Sequence, residues 1–145
     1  MSGARWAAWL AGVWVGVLGA IALVAAPAAF AIATRDAAGQ IAGRMFAQEA
    51  HLGLVLAVVL FVLLRRQARA AAAAGTGSAL SANMLLVLGT LFCTVAGYFA
   101  LQPLIASARA GQGPWSFGLL HGVSAGFYGV KALLVAVLAW RLAKA

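Results

Sequence analysis

The sequence predicts an all-α integral membrane protein, a bundle of four transmembrane helices in a single domain that covers residues 1–145. Of these residues 66% are hydrophobic and only 8% are charged, whereas about a quarter of an ordinary globular domain is charged. The few charges are also separated by apolar stretches, several of them long enough to cross a bilayer. An ordinary soluble enzyme is therefore excluded.

The charge balance is strongly basic, with ten lysines and arginines against two acids and a net charge of +8. Such a balance is typical of nucleic-acid binding, but nucleic-acid-binding proteins gather their bases in a wet patch or stripe. Here the bases are dispersed, so the expected partner is a lipid bilayer and not nucleic acid. Cys93 has no second cysteine, which excludes an intrachain disulfide and any multi-cysteine metal site.

The first predicted span covers residues 6–33. No charge occurs between Arg5 and Arg35, and roughly 20 residues suffice to cross a bilayer as a helix. The start resembles a signal peptide, but the apolar region of a signal peptide has only about 7–15 residues, so we expect a retained helix. Pro27 is expected to kink this helix or to end it.

The other three spans are predicted at about 45–64, 83–106 and 115–140. The strictly apolar part of the second begins only at Leu52, so a span of about 20 residues places Glu49 and His51 in the outer part of the bilayer or near its surface. The segment 68–82, rich in alanine, glycine and serine, is expected to be a mobile connection or a frayed helix end.

The distribution of bases predicts the orientation, because cytoplasmic loops are enriched in lysine and arginine. Three bases fall at one end of the four spans: Arg35, Arg44 and Arg109. Six fall at the end that carries both termini: Arg5, Arg65, Arg66, Arg69, Arg141 and Lys144. This predicts cytoplasmic termini, in a protein that we expect to reside in a bacterial inner membrane.

Two spans carry small residues at every fourth position, a pattern that lets helices approach closely. We expect these residues to pack within the bundle, and a homodimer contact is the alternative. They are Ala8, Gly12, Gly16 and Ala20 in the first span, with Gly122 and Gly126 in the fourth.

Polar residues in the spans form stripes. At about 100° per residue, four of them in the fourth span fall within an arc of roughly 80°: His121, Ser124, Tyr128 and Lys131. Companion stripes are Asn83, Thr90, Thr94 and Tyr98 in the third span, and Gln40, Arg44, Gln48 and His51 leading into the second. Intramembrane polar residues are costly and are functional candidates by default. The predicted polar pocket, open to the outer side, consists of Glu49, His51, Thr94, Tyr98, His121, Ser124, Tyr128 and Lys131.

Lys131 needs a counter-charge, because it lies about ten residues, or roughly 15 Å, from Arg141 and reaches neither interface easily. Glu49 is the only intramembrane acid, and its depth differs from that of Lys131 by about 7 Å along the helices. The sequence therefore predicts a contact of Glu49 with Lys131 or with His121. The alternative is a Lys131 side chain that extends to the cytoplasmic headgroups.

His51 and His121 also permit a second hypothesis, a haem b or transition-metal site, because haem iron takes axial histidines and metals take histidine with carboxylate. Glycines such as Gly53 and Gly122 would admit the ring. One observation argues against this hypothesis. When the helical rise is counted from the cytoplasmic ends of the two spans, His51 lies about 10 Å deeper in the membrane than His121, which is awkward for two ligands of one iron. Hydrogen-bonded or transport-lining histidines are the other interpretation.

Three motifs resemble a known family. They are Pro27-x-x-Phe30, Arg44-Met45-Phe46-x4-His51 and Phe117-x3-His121-Gly122-x-Ser124, and they resemble the small membrane-protein family of eukaryotic transmembrane protein 205 and its bacterial relatives of unknown function. The resemblance implies a four-helix membrane protein and no activity that carries over. Tyr128 departs from it, since family members tend to have asparagine there. A more distant analogy to copper-resistance and haem-synthesis membrane families keeps the metal hypothesis open.

The two halves of the chain share a weak repeat, in which Pro27, Phe46 and His51 are followed in the same order by Pro103, Phe117 and His121. A duplicated helical hairpin and chance similarity both explain it. Three function classes remain: a non-enzymatic binding or transport protein, a haem or metal redox protein, and a structural subunit of a homo-oligomer or larger membrane complex.

Overall fold

The computed structural model describes residues 3–145, which form four long apolar helices and contain no strand. The helices are α1 (Gly3–Ile32), α2 (Arg35–Ala73), α3 (Ala82–Arg109) and α4 (Phe117–Ala143), and all four are long and apolar enough to span a membrane. The predicted fold class, an all-α four-helix bundle, is confirmed.

Three of the helices begin at a hydroxyl cap, which satisfies a backbone N–H that has no partner inside the helix. The Thr34 side chain accepts from the backbone N–H of Ala37 at the start of α2. At the starts of α3 and α4, the Ser81 and Ser116 side chains each accept from the backbone N–H of the residue three positions later in the chain. Gly75 and Gly111, just after α2 and α3, have φ of 70°, the left-handed conformation that often ends a helix. Short connections make successive helices antiparallel.

Each helix packs mainly on its two neighbours around a ring, α1 on α2 and α4, and α3 on α2 and α4. The largest buried cluster lies in the half of the bundle nearest the chain termini, where Trp14, Leu60, Val87 and Leu138 are almost completely buried. In the other half, called the outer half below, the buried positions of α1 and of the start of α2 are alanines: Ala26, Ala29, Ala38 and Ala42.

Two segments of the outer half are π-helical, Ala20–Ala25 in α1 and Val95–Ala100 in α3. Each is followed within three residues by a proline, Pro27 or Pro103, which lacks the N–H that a helix interior needs. Of the two outcomes expected at Pro27, a kink or an end of the helix, the second is wrong: the wider π turn accommodates the change in hydrogen bonding, and the helix continues to Ile32. The two π segments occupy corresponding positions in the proposed repeat.

The second helix is longer than the span predicted within it. It begins at Arg35 and continues through the alanine-rich segment to Ala73, so only residues 74–81 connect it to α3. Alanine has the highest helix propensity, and the chain remains helical until Gly75.

Candidate functional site: a buried ion pair and its polar stripe

A buried ion pair lies at the centre of the bundle. The Nζ of Lys131 on α4 donates to the Oε2 of Glu49 on α2 at 2.5 Å, and the two residues are 3% and 2% exposed. The pair joins helices that face each other across the bundle. The predicted contact between Glu49 and Lys131 is confirmed, and the alternative in which Lys131 extends to the headgroups is wrong, because the carboxylate holds the ammonium group inside the bundle.

A third helix contributes to the same carboxylate. The indole Nε1–H of Trp14 on α1 donates to the Oε1 of Glu49 at 3.2 Å, so each carboxylate oxygen has a donor. Gly53 makes this arrangement possible, because a Cβ there would lie 3.2 Å from both the Glu49 Oε1 and the Trp14 ring. Trp14 is not among the residues predicted for the pocket. The available signal was that a buried indole N–H usually finds an acceptor, and Glu49 was the intramembrane acceptor in need of donors.

The stripe on α4 continues from Lys131 toward the outer end. The Lys131 ammonium lies 5.0 Å from the centroid of the Tyr128 ring, and Phe46 packs edge-on against the same ring. The Tyr128 hydroxyl donates to the backbone carbonyl of Leu18 at 2.9 Å. Tyr128 therefore links the ion pair to α1 at the residue just before the cap of its π segment.

Ser124, one turn further out, makes the equivalent bond to α3. Its Oγ donates to the carbonyl of Gly97 at 2.6 Å, inside the second π segment. A Cβ at Gly97 would collide with the Cβ of Phe127, so the glycine permits the close approach of α3 and α4. Two hydroxyls one turn apart on α4 thus bind one carbonyl each, the first just before the π segment of α1 and the second within the π segment of α3.

The remaining pocket candidates lie outside this network. Thr94 is buried, but its hydroxyl donates to the Thr90 carbonyl of its own helix, which is the usual solution for a buried threonine in a helix. Tyr98 is half-buried with its ring edge-on to Phe99. Neither contributes a polar atom to the ion pair.

Both histidines are exposed at the surface of the bundle. His51 places Nδ1 2.7 Å from the Ala47 carbonyl and its ring against Phe99, while His121 stacks on Phe117, which also carries the Arg109 guanidinium. The alternative contact of Glu49 with His121 is not formed, because the Lys131 ammonium occupies the position beside the carboxylate. The predicted stripe in the first half of α2 likewise faces outward: Gln40, Arg44, Gln48 and His51 are all exposed.

Residues 3–145 contain no group of three histidine, cysteine, aspartate or glutamate side chains that could hold a metal ion. The space beside Gly53 that would admit a porphyrin ring is filled by the indole of Trp14. The haem or metal site at His51 and His121 stays a prediction, which an absorption spectrum and a metal analysis of the purified protein would test.

The small-residue positions divide between two environments. Ala8 packs partly against the core, but Gly12, Gly16 and Ala20 are exposed, and a Cβ at Gly12 or Gly16 would meet no atom within 4 Å. Gly122 and Gly126 are equally open. The glycines therefore do not serve close packing within one chain, since the buried face of α1 consists of Ala7, Ala11, Trp14 and Leu18.

Four apolar helices around a buried ion pair define a multi-pass membrane protein. The chain belongs to the family described as Domain of unknown function (DUF4149), whose model matches residues 9–113. The match covers α1 from Trp9 onward together with α2 and α3, and so includes Trp14 and Glu49. It ends before α4, so Lys131 lies outside it. No curated protein and no solved structure matches the chain.

Proposed function

We propose that this is a non-enzymatic binding or transport protein, in which a polar species reaches the Glu49–Lys131 pair from the outer side along the stripe of α4. The observation that carries the proposal is the ion pair itself. A buried pair contributes little net stability compared with apolar residues of similar volume, and ionisable residues inside membrane proteins usually mark pathways for ions or substrates.

The packing around the pair supports an approach from the outer half. The largest buried cluster begins on the terminal side of the pair, where Trp14, Leu60 and Val135 close the bundle. On the outer side, the buried residues of α1 and α2 are small, and both π segments lie there. π turns occur frequently at functional sites. The hydroxyls of Ser124 and Tyr128 donate to backbone carbonyls, and water molecules can donate to the same carbonyls.

The orientation and kinship belong to the same proposal. The proposed location is a bacterial inner membrane, and the excess of bases at the end with the termini supports an orientation with both termini in the cytoplasm. The three motifs that begin at Pro27, Arg44 and Phe117 support a relationship to the family of eukaryotic transmembrane protein 205.

Cysteine accessibility tests the proposed route. In a Cys93→Ala background, Ser124→Cys is treated with a membrane-impermeant, charged thiol reagent from the outer side of intact cells. Thiol reagents react with the thiolate, which forms in water and not in hydrocarbon, so the proposal predicts labelling of Ser124→Cys.

The neighbouring Val123 is the control, because it has the same depth and is exposed on the surface of the bundle. Val123→Cys is expected to stay unlabelled. Equal labelling of the two cysteines, no labelling of either, or labelling of Ser124→Cys only from the cytoplasmic side would contradict the proposal.

A second candidate, a structural subunit of a homo-oligomer or larger complex, is supported by the outward position of Gly12 and Gly16 on α1, since such residues allow close approach of another helix. Oxidative crosslinking of Gly16→Cys in a Cys93→Ala background, in native membranes, tests it. A crosslinked product that Val24→Cys on an exposed part of α1 does not give supports this role, and monomer alone contradicts it.

A further inference from the structure

We propose that the surface between α3 and α4 binds one anionic phospholipid, with its phosphate held at the end of the bundle that carries the termini and an acyl chain in an apolar groove further along the same two helices. This site is separate from the ion pair and does not depend on the role proposed for it. The ligand is a membrane lipid and not a free phosphate, because the groove and the basic pocket follow one another along the same pair of helices.

The basic pocket has a volume of about 490 Å³ and is lined by Asn83 at the start of α3 and by Trp140, Arg141 and Lys144 at the end of α4, with Ala145. Arg141 is fixed in place, since its Nε donates to the Oδ1 of Asn83 at 2.7 Å. A guanidinium has five N–H donors, so four remain for a ligand once this bond is made. No acidic side chain lines the pocket.

The depth of the pocket suits a lipid headgroup. The ammonium of Lys144 lies 4.3 Å from the centroid of the Trp140 ring, and Trp140 is 65% exposed. Tryptophan at the end of a span is typical of the headgroup level. Basic pockets between transmembrane helices on the cytoplasmic side bind anionic headgroups, and this pocket lies at the end with the excess of bases.

The apolar groove has a volume of about 470 Å³ and is formed by residues of α3 and α4 that include Gly89, Phe92, Gly126, Val130 and Leu134. Gly89 lies six residues from Asn83, and Leu134 lies seven from Arg141, so the groove begins about 9–10 Å from the basic pocket along both helices. The glycerol backbone and the first methylene groups of a phospholipid span this interval. Gly126 keeps the groove open, because no atom lies within 4 Å of a Cβ placed there.

Lipid binding to the purified full-length chain in detergent, followed by native mass spectrometry, tests the proposal. The probes are dioleoyl phosphatidylglycerol and dioleoyl phosphatidylcholine, which share their chains, and glycerophosphoglycerol, which has the headgroup without chains. The wild type is expected to bind one phosphatidylglycerol, more tightly than phosphatidylcholine. If each base contributes about 1 kcal/mol, the double variant Arg141→Gln/Lys144→Gln loses about 30-fold in affinity for phosphatidylglycerol.

Matched variants separate a built site from diffuse attraction. Arg65→Gln/Arg66→Gln removes the same charge from exposed positions of α2 at the same end and is expected to leave the affinity nearly unchanged. Gly126→Leu fills the groove and is expected to lower the affinity for both lipids alike. Gly16→Leu, at an equally open position of α1, is expected to leave both affinities unchanged.

Four results would overturn the proposal. They are equal binding of the two lipids, an equal loss in the Arg65/Arg66 variant, an unchanged affinity in Gly126→Leu, and competition by glycerophosphoglycerol at the concentrations at which the lipid binds. Lys144→Gln alone, which leaves the Arg141–Asn83 bond in place, is expected to lose about fivefold and keeps the test decisive if the double variant misfolds.

Discussion

Lys131 and Glu49 neutralise each other at the centre of the bundle, with 2.5 Å between the Nζ and Oε2 atoms. Removing one member leaves the other as a buried charge without a counter-charge. Lys131→Met is therefore expected to lower the free energy of unfolding by about 3–5 kcal/mol, measured by equilibrium unfolding in mixed micelles. The control Lys144→Met removes an exposed lysine just beyond the end of the same helix and should change stability little; equal effects of the two variants would contradict a buried pair.

Trp14→Phe tests the second donor to the Glu49 carboxylate. The variant keeps an aromatic ring in the buried position and removes the indole N–H, so we expect the free energy of unfolding to fall by about 1.5–3 kcal/mol, the range for hydrogen bonds to charged groups. Trp9→Phe is the control, because Trp9 is 56% exposed. A loss in Trp14→Phe no larger than in Trp9→Phe would show that the indole N–H does not stabilise the carboxylate.

Gly97→Ala tests the close approach of α3 and α4. The added methyl group would collide with Phe127, and the helices must separate, at a cost of about 1–3 kcal/mol and with weakening of the bond from Ser124. Gly122→Ala places the same methyl group where it meets nothing and is expected to be neutral or slightly stabilising. Thermal unfolding of both variants in one detergent decides between these outcomes.

Tyr128→Phe and Ser124→Ala test the two hydroxyl bonds, one to Leu18 just before the first π segment and one to Gly97 within the second. Each variant removes one side-chain bond between helices, and such bonds in membrane proteins contribute about 0.6 kcal/mol on average. Hydrogen exchange should increase locally, near residues 20–25 for Tyr128→Phe and near residues 95–100 for Ser124→Ala. Faster exchange throughout the bundle, or in neither segment, would contradict the specific bonds to the Leu18 and Gly97 carbonyls.

The sequence was sufficient to predict the four helices, because an apolar stretch that must satisfy its own backbone in lipid has few alternatives to a helix. The pairing of Glu49 with Lys131 was also predictable, since acids are scarce and depth can be counted along a helix. Both predictions depend only on composition and on the rise per residue.

To predict which residues face the interior, one must also know how each helix is rotated about its axis, and the sequence does not determine this rotation. Gly12, Gly16 and His51 lie on exposed faces, whereas helical periodicity alone was compatible with an inward position for each. The π segments shift this rotation partway along α1 and α3. For the same reason, the contribution of Trp14 was not visible in a first span without a polar stripe.

The Glu49–Lys131 pair is the basis of the proposed function, and a double-mutant cycle tests it most directly. The free energy of unfolding is measured for the wild type, Glu49→Gln, Lys131→Met and Glu49→Gln/Lys131→Met in the same mixed micelles. We expect the double variant to be less destabilised than the sum of the single variants by about 2–3 kcal/mol, because removal of the second charge relieves the one left unpaired. Single effects that add within about 0.5 kcal/mol would contradict the pair.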